Sequence, residues 1–180
     1  MKQKIQESIL IPEGVKCNYI ENEFSCQKDS VVLTKKINVP GIIIKVKDNE
    51  ILIEKEKANK NDLKVIYANR AHIKNLLNGL NEEYIYTLES CNVHFPMTLK
   101  LDGKKLLINN FLGEKVPRSA KILEGVKVDV KGSVITVSSH NKELAGHTAA
   151  NIEKATRVGK RDRRIFQDGI FITKKPGDKE

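Results

Sequence analysis

Apolar and polar residues alternate along most of this chain, and the alternation gives way twice to a three- and four-residue rhythm. Residues 15–19 and 24–27 alternate weakly around the turn-like Ile20-Glu21-Asn22-Glu23, after Pro12 and Gly14, and predict a first hairpin. Pro40 and Gly41 open a second, in which Ile42, Ile44 and Val46 share one face, the chain turns at Asp48-Asn49, and Ile51 and Ile53 return on the partner strand. Then Leu63, Ile66, Ile73, Leu76, Leu77 and Leu80 recur at helical spacing. They predict an amphipathic helix of about five turns, capped by Asn61 or Asp62 and ended near Gly79, with Lys64, Arg70 and Lys74 facing outward.

After a short acidic joint at residues 81–83 the order repeats. Residues 84–88 alternate as a strand, and Met97-Thr-Leu-Lys-Leu-Asp-Gly-Lys-Lys-Leu-Leu-Ile108 forms a hairpin on Asp102-Gly103, a strong turn dipeptide. A further hairpin turns near Lys131-Gly132. A helix from about Asn141 to Arg157 follows, with Leu144, Ala149, Ile152 and Ala155 inward and Gly159 as its stop. The chain thus reads hairpin, hairpin, helix, twice over. IIIKVKDNEILIE can be laid on VKVDVKGSVITVS, and RAHI on AANI, which suggests a duplication into two like domains. The expected fold class is α+β: two tandem similar domains, residues 1–81 and 82–180, each a small antiparallel sheet of two hairpins covered by one helix.

Composition adds little beyond class. With 180 residues, 39% hydrophobic and 31% charged, and no Trp, two small domains with thin cores of Ile, Leu and Val are expected. Charge says more, because it is uneven. Residues 1–90 carry 14 Lys and Arg against 13 Asp and Glu, whereas residues 91–180 carry 18 against 10, a net of +8. A half-chain this basic attracts polyanions, so nucleic acid or an anionic surface is the natural partner.

The excess is concentrated in residues 157–172, RVGKRDRRIFQDGIFI. Arg157, Lys160, Arg161, Arg163 and Arg164 meet Asp162 and Asp168, and the charged run passes directly into Ile165, Phe166, Ile170 and Phe171. A run of Lys and Arg alone stays solvated, whereas apolar residues beside it can pin the segment to a folded surface and hold the guanidinium groups in one geometry. Ile165, Phe166, Ile170 and Phe171 are therefore expected to anchor an arm that presents arginines.

Catalytic chemistry finds no motif. The histidines at 72, 94, 140 and 147 form no H-x-x-x-H pair, and Cys91 with His94 is an isolated C-x-x-H. No G-x-x-x-x-G-K-[ST] or G-x-G-x-x-G sequence occurs, nor an RNP-type aromatic strand. No enzyme, metal or cofactor is expected. The three cysteines (17, 26, 91) are odd in number and lack a C-x-x-C pair; Cys17 and Cys26 can face each other across the first hairpin as small core residues in a reducing compartment. The first sixteen residues have no continuous apolar core and no run approaches a spanning helix, so neither a signal peptide nor a membrane partner is expected. What remains is electrostatic: ordered cations neutralising phosphates, on a surface suited to a structured RNA read by shape.

The tail, with the helix before it, also carries a resemblance. HTAANIEKATRVGKRDRRIFQDGIFI closely resembles the end of the universal large-subunit ribosomal protein six family, called protein nine in eukaryotes, and most of all its archaeal and eukaryotic branch. VHFPMTLK (93–100), NNFLGEKVPRSAKI (109–122), the opening IPEGV and the helical RAHIKNLLNGL agree as well, in family order across almost the whole chain. The resemblance implies two related α+β domains, a structural place in the cytosolic large ribosomal subunit beside the sarcin-ricin loop, and a second domain that is the main binder of rRNA. Neighbouring large-subunit proteins and nearby translational GTPases are the implied protein partners, with no homo-oligomer. Carried over by position, it implies rRNA contacts at Arg157, Lys160, Arg161, Arg163 and Arg164 in the tail and at Lys115 and Arg118 in the FLGEK segment. A different reading is a free basic RNA-binding or RNA-chaperone-like protein acting off the ribosome. One departure stands out: where the family carries a Gly-rich K-G-P-x-G turn, this chain has CQKDSVVLTKK, which cannot easily take φ > 0 or approach another backbone closely.

Overall fold

The computed structural model describes residues 3–37, 41–47, 49–162 and 164–178, which divide into two compact units, 1–82 and 83–180. In the first unit, β1 (Gln3–Leu10), β5 (Ile43–Val46) and β6 (Glu50–Ala58) form one antiparallel sheet in the order β1-β6-β5; β2 (Lys16–Ile20), β3 (Glu23–Lys28) and β4 (Val31–Lys36) form another in sequence order. The first hairpin closes on Glu21 and Asn22, both at positive φ (49° and 65°), which matches the right-handed twist of the strands it joins. Cys17 sits opposite Cys26 in that pair; both are free thiols, and burial pushes them up to about 11 and about 12. In the second hairpin Ile44 faces Ile53 and Val46 faces Ile51, the pairing the alternation predicted; Asp48 of its turn lies outside the described residues.

Helix α1 (Lys60–Asn81) buries Ile66, Ile73, Leu76, Leu77 and Leu80 against Phe24, Cys26, Ile51 and Ile53 of the sheets. Its boundaries differ from expectation at both ends. Asn59, rather than Asn61 or Asp62, is the N-cap: its side chain accepts from the amides of Asn61 and Asp62, and Asp62 returns a bond to the Asn59 amide, a reciprocal capping box. At the other end the helix runs through Gly79 to Asn81, because Gly79 lies on the buried stripe and Leu80 still has core to fill.

The second unit is built on the same plan. Strands β8 (Thr98–Asp102), β9 (Lys105–Asn109) and β10 (Arg118–Lys121) form one antiparallel sheet. The other contains β7 (Tyr84–Cys91), β11 (Lys127–Lys131), β12 (Val134–Ser139) and β13 (Gly169–Lys174) in the order β11-β12-β7-β13. Helix α2 (Lys142–Ala155), capped by Asn141, buries Ala145, Thr148, Ala149 and Ile152 against Leu88, Ile135, Val137 and Ile170. It passes so close to β7 that a Cβ on Gly146 would stand 2.9 Å from Tyr86 Oη, which accounts for a glycine inside a helix.

Laid side by side, β1 to β6 and α1 correspond in order and pairing to β7 to β12 and α2. The overlay of the two hairpin-helix segments is therefore part of a longer correspondence, and the fold is α+β with two similar sheet-and-helix units. Four strands were not apparent from local pattern: β1, β4, β10 and β13. Each joins a sheet as an edge, and β1 and β13 do so through partners distant in sequence. Strand β13 has no counterpart among the described residues of the first unit, so the tail adds a strand to the repeated plan.

Candidate nucleic-acid interface

The tail leaves α2 at Thr156, three residues before the expected stop at Gly159. Thr156 is buried, 3% exposed; its hydroxyl donates to Glu153 O (3.1 Å) and accepts from the Ile170 amide (2.9 Å). Glu153 Oε1 also accepts from the Ile172 amide (3.3 Å), so the helix end and the returning strand β13 are tied together by side chains. These bonds, with Ile170 fully buried in the core, fix both ends of the excursion from 157 to 168.

Within it the chain makes tight turns. Lys160 takes φ 57°, and Asp162 O accepts from the amides of Ile165 (3.1 Å) and Phe166 (2.9 Å). The Asp162 carboxylate accepts from Arg164 through its amide (3.0 Å), Nε (3.2 Å) and Nη2 (3.0 Å), and these bonds hold its carboxyl below the usual aspartate range.

Asp168 fastens the far side. It is 3% exposed, yet it is an ionised acceptor: Oδ1 takes the amides of Val93 and His94 (2.9 Å each), and Oδ2 takes His94 Nδ1 (2.6 Å). Burial alone would raise this carboxyl; the hydrogen bonds from the His94 amide and ring and the Val93 amide, with the charge of His94, outweigh it and hold the pKa below the ordinary value. The His94 ring stacks on Phe166 at 4.9 Å between centroids and 22° between planes, and the Arg161 guanidinium lies 4.6 Å from the same ring's centroid. A buried carboxylate thus orients an imidazole, the imidazole a phenyl ring, and the ring an arginine.

The expected anchors divide accordingly. Ile170 is buried and Phe166 half-buried, but Phe171 is 37% exposed, its ring over Gly169, and Ile165 is 62% exposed. The expected burial is not met at Ile165 or Phe171. Successive side chains of a strand point to opposite faces, so Phe171 faces away from the core that Ile170 enters, and Ile165 lies on a turn before β13 begins.

Among the cations expected to meet RNA, Arg157, Lys160, Arg161 and Arg164 are exposed on the tail and Lys115 is exposed on the FLGEK loop; Arg163 lies outside the described residues. Arg118 departs from them. Its Nε and Nη2 bind both carboxylate oxygens of Glu114 (2.8 and 2.6 Å), and its Nη1 donates to Ala155 O (3.0 Å) and Arg157 O (3.1 Å). Its guanidinium also stacks 4.3 Å from the centroid of the buried Phe111 ring. With its donors engaged inside the protein, Arg118 closes the last carbonyls of α2 and joins the FLGEK loop to the tail, a role that falls to arginine because only a fork of donors reaches all these acceptors. Neither Asp168 nor His94 was singled out by sequence: one read as an acid within a basic run, the other as an isolated C-x-x-H member.

Loops 93–97 and 110–116 and the tail therefore lie together on the second unit. Beside them opens a cleft of 690 Å³ whose lining includes Cys91, Lys154, Arg157, Phe166 and Phe171. Among the described residues no group of three or more His, Cys, Asp or Glu could hold a metal ion, and no helix is long and apolar enough to cross a membrane.

The family described as Ribosomal protein L6 matches residues 95–169, the span from loop 93–97 to the first residue of β13. Over nearly its whole length the chain is 43% identical to a protein named large ribosomal subunit protein uL6 from Methanococcus vannielii, across 173 residues covering 96% of this chain and 95% of that one. The chain belongs to the ribosomal protein L6 family. A uL6 of Methanosarcina mazei is 41% identical over 175 residues, 97% of this chain and 99% of its own, so the likeness to the archaeal branch of L6 spans both units. In this L6-family chain the matched segment contains His94's partner Asp168, the FLGEK loop and every described tail cation, while β13 and the first unit lie mostly beyond it.

Proposed function

We propose that this chain is a structural, non-catalytic constituent of the large ribosomal subunit, and that its second unit binds large-subunit rRNA through the tail and the FLGEK loop. The ribosomal role rests on near-full-length identity to two archaeal proteins of that name. The RNA-binding role rests on the geometry of one face: Arg157, Lys160, Arg161 and Lys115 stand exposed on segments held by Asp168, Thr156 and Arg118, so their charges are placed before any ligand arrives. Arg164 stands there too, already paired with Asp162. A site beside the sarcin-ricin loop, close to where translational GTPases dock, in a cytosolic subunit among other large-subunit proteins, is the setting this reading assigns.

The test is the salt dependence of binding to in vitro transcribed large-subunit rRNA. Each phosphate neutralised contributes about 0.7–0.9 to the slope of log K against log salt. Replacing Arg157, Lys160 and Lys115 together by alanine should flatten the slope by about two units. An unchanged slope would show that these cations do not meet phosphate. Sedimentation separates this reading from a chaperone acting off the ribosome: the chain should stay with the large subunit through a high-salt wash, and its release into the free pool would favour the chaperone.

A further inference from the structure

Loop 93–97, fastened to the tail through Asp168, exposes an aromatic ring. Phe95 is 47% exposed. The ring is not loose. A Cβ built on Gly113 would lie 3.6 to 3.8 Å from three carbons of its outer edge, so the glycine backbone is its floor, and Gly113 at φ 77° is where only glycine fits without strain. That floor is itself rigid. Asn110 and Leu112 also take positive φ (58° and 49°), the Asn110 side-chain amide donates to Pro96 O (2.9 Å), and Phe111 is buried beneath Arg118. Asparagine tolerates the left-handed region, whereas Leu112 there is strained and is held by the packing around it.

Phe166, by contrast, already stacks on His94 and carries the Arg161 guanidinium. Phe95 has no ring or cation partner of that kind among the described residues, and Lys115 follows its floor by two residues. Val93 on the same loop and Val116 just after the FLGEK segment are also exposed, at 62% and 78%. A braced, exposed ring with a lysine two residues beyond its floor suits a flat base delivered on a polyanion.

We propose that Phe95 is a stacking platform for one unpaired base of the bound RNA, with Lys115 neutralising a phosphate beside it. This rests on the reading of the second unit as an rRNA binder, and deepens it: the face takes a helix by its phosphates and one extruded or loop nucleotide by its base. No RNP-type strand is needed, because a single preorganised ring on a braced loop offers a π-face to any base at low entropic cost.

The experiment measures binding of the full chain to in vitro transcribed Methanococcus vannielii large-subunit rRNA, at several salt concentrations, for the wild type and the variants Phe95→Ala, Phe95→Leu and Phe95→Tyr. Phe95→Ala and Phe95→Leu should each weaken binding about fivefold or more with the salt slope unchanged, and Phe95→Tyr should bind as the wild type does. Chemical probing should show one nucleotide exposed by Phe95→Ala that Lys115→Ala leaves protected. Wild-type affinity in Phe95→Leu would reduce the contact to apolar bulk and overturn the proposal. So would a Phe95→Ala variant that binds naked rRNA normally but is lost from large subunits, which would assign the ring to a neighbouring protein. Either result leaves the phosphate-binding reading standing if the wild type keeps its steep salt slope; a flat slope in the wild type would remove both.

Discussion

Replacing Asp168 by asparagine should loosen the tail while leaving its shape intact. Oδ1 can still accept the Val93 and His94 amides, but the acceptor is now neutral, and the position of Oδ2 is taken by an NH₂ group that His94 can meet only by presenting an unprotonated Nδ1. Hydrogen bonds to a charged partner are worth about 1.5–3 kcal/mol and neutral ones about 0.5–1.5, so three weakened bonds amount to about 3 kcal/mol. If opening of this latch is what exposes the Val93 and His94 amides, their hydrogen exchange should accelerate about a hundredfold, measurable by NMR residue by residue. The wild type should also show a pH signature. Asp168 has a depressed folded-state pKa, so its contribution is complete above the ordinary aspartate value of about 3.9 and fades as pH falls below it toward the folded value. Protection of the two amides, corrected for intrinsic exchange, should therefore decline in that acid window in the wild type and stay level in Asp168→Asn. Equal protection in the two proteins, or the same acid decline in both, would refute the idea that this carboxylate locks the tail.

Arg118→Lys keeps the charge but cannot grip both oxygens of Glu114, reach the carbonyls of Ala155 and Arg157, and cover Phe111 at once. It should lower the stability of the second unit by about 2 kcal/mol in chemical denaturation, and a midpoint equal to the wild type's would contradict the role given to that fork. Phe166→Ala removes the ring between His94 and Arg161, so rRNA affinity should fall by up to about tenfold although no charge is lost. Normal binding by that variant would reduce the tail to a flexible basic strand.

How far the fold was legible depended on whether a residue's partners were near it in sequence. Ile44 opposite Ile53, and the turn at Glu21-Asn22, follow from alternation and turn chemistry within a dozen residues. The helical stripe from Ile66 to Leu80 was equally plain, because its period is local. Strands β1 and β13 were not, since their short apolar runs look alike in a strand, a loop or an anchor until a distant partner claims them. Glu7 meets Ile53, and Phe171 meets Glu89. For the interface, the cations at 157, 160, 161 and 164 were visible as composition. What could not be seen was Arg118 turning inward, because its acceptors at Ala155 and Arg157 are carbonyls, which every residue has and no sequence pattern marks.

By itself, then, the sequence determined the period of each element, the doubling of the chain, the concentration of positive charge in its second half and the family to which the tail points. Tertiary structure alone decided which charges stay free. Asp168 read as one more charge in a basic run, and becomes the buried fastening of the tail because folding carries it 74 residues back to His94. Burial in a medium that cannot solvate a bare carboxylate makes that placement tolerable only where amides and an imidazole converge on it, and such convergence is a property of the packed chain.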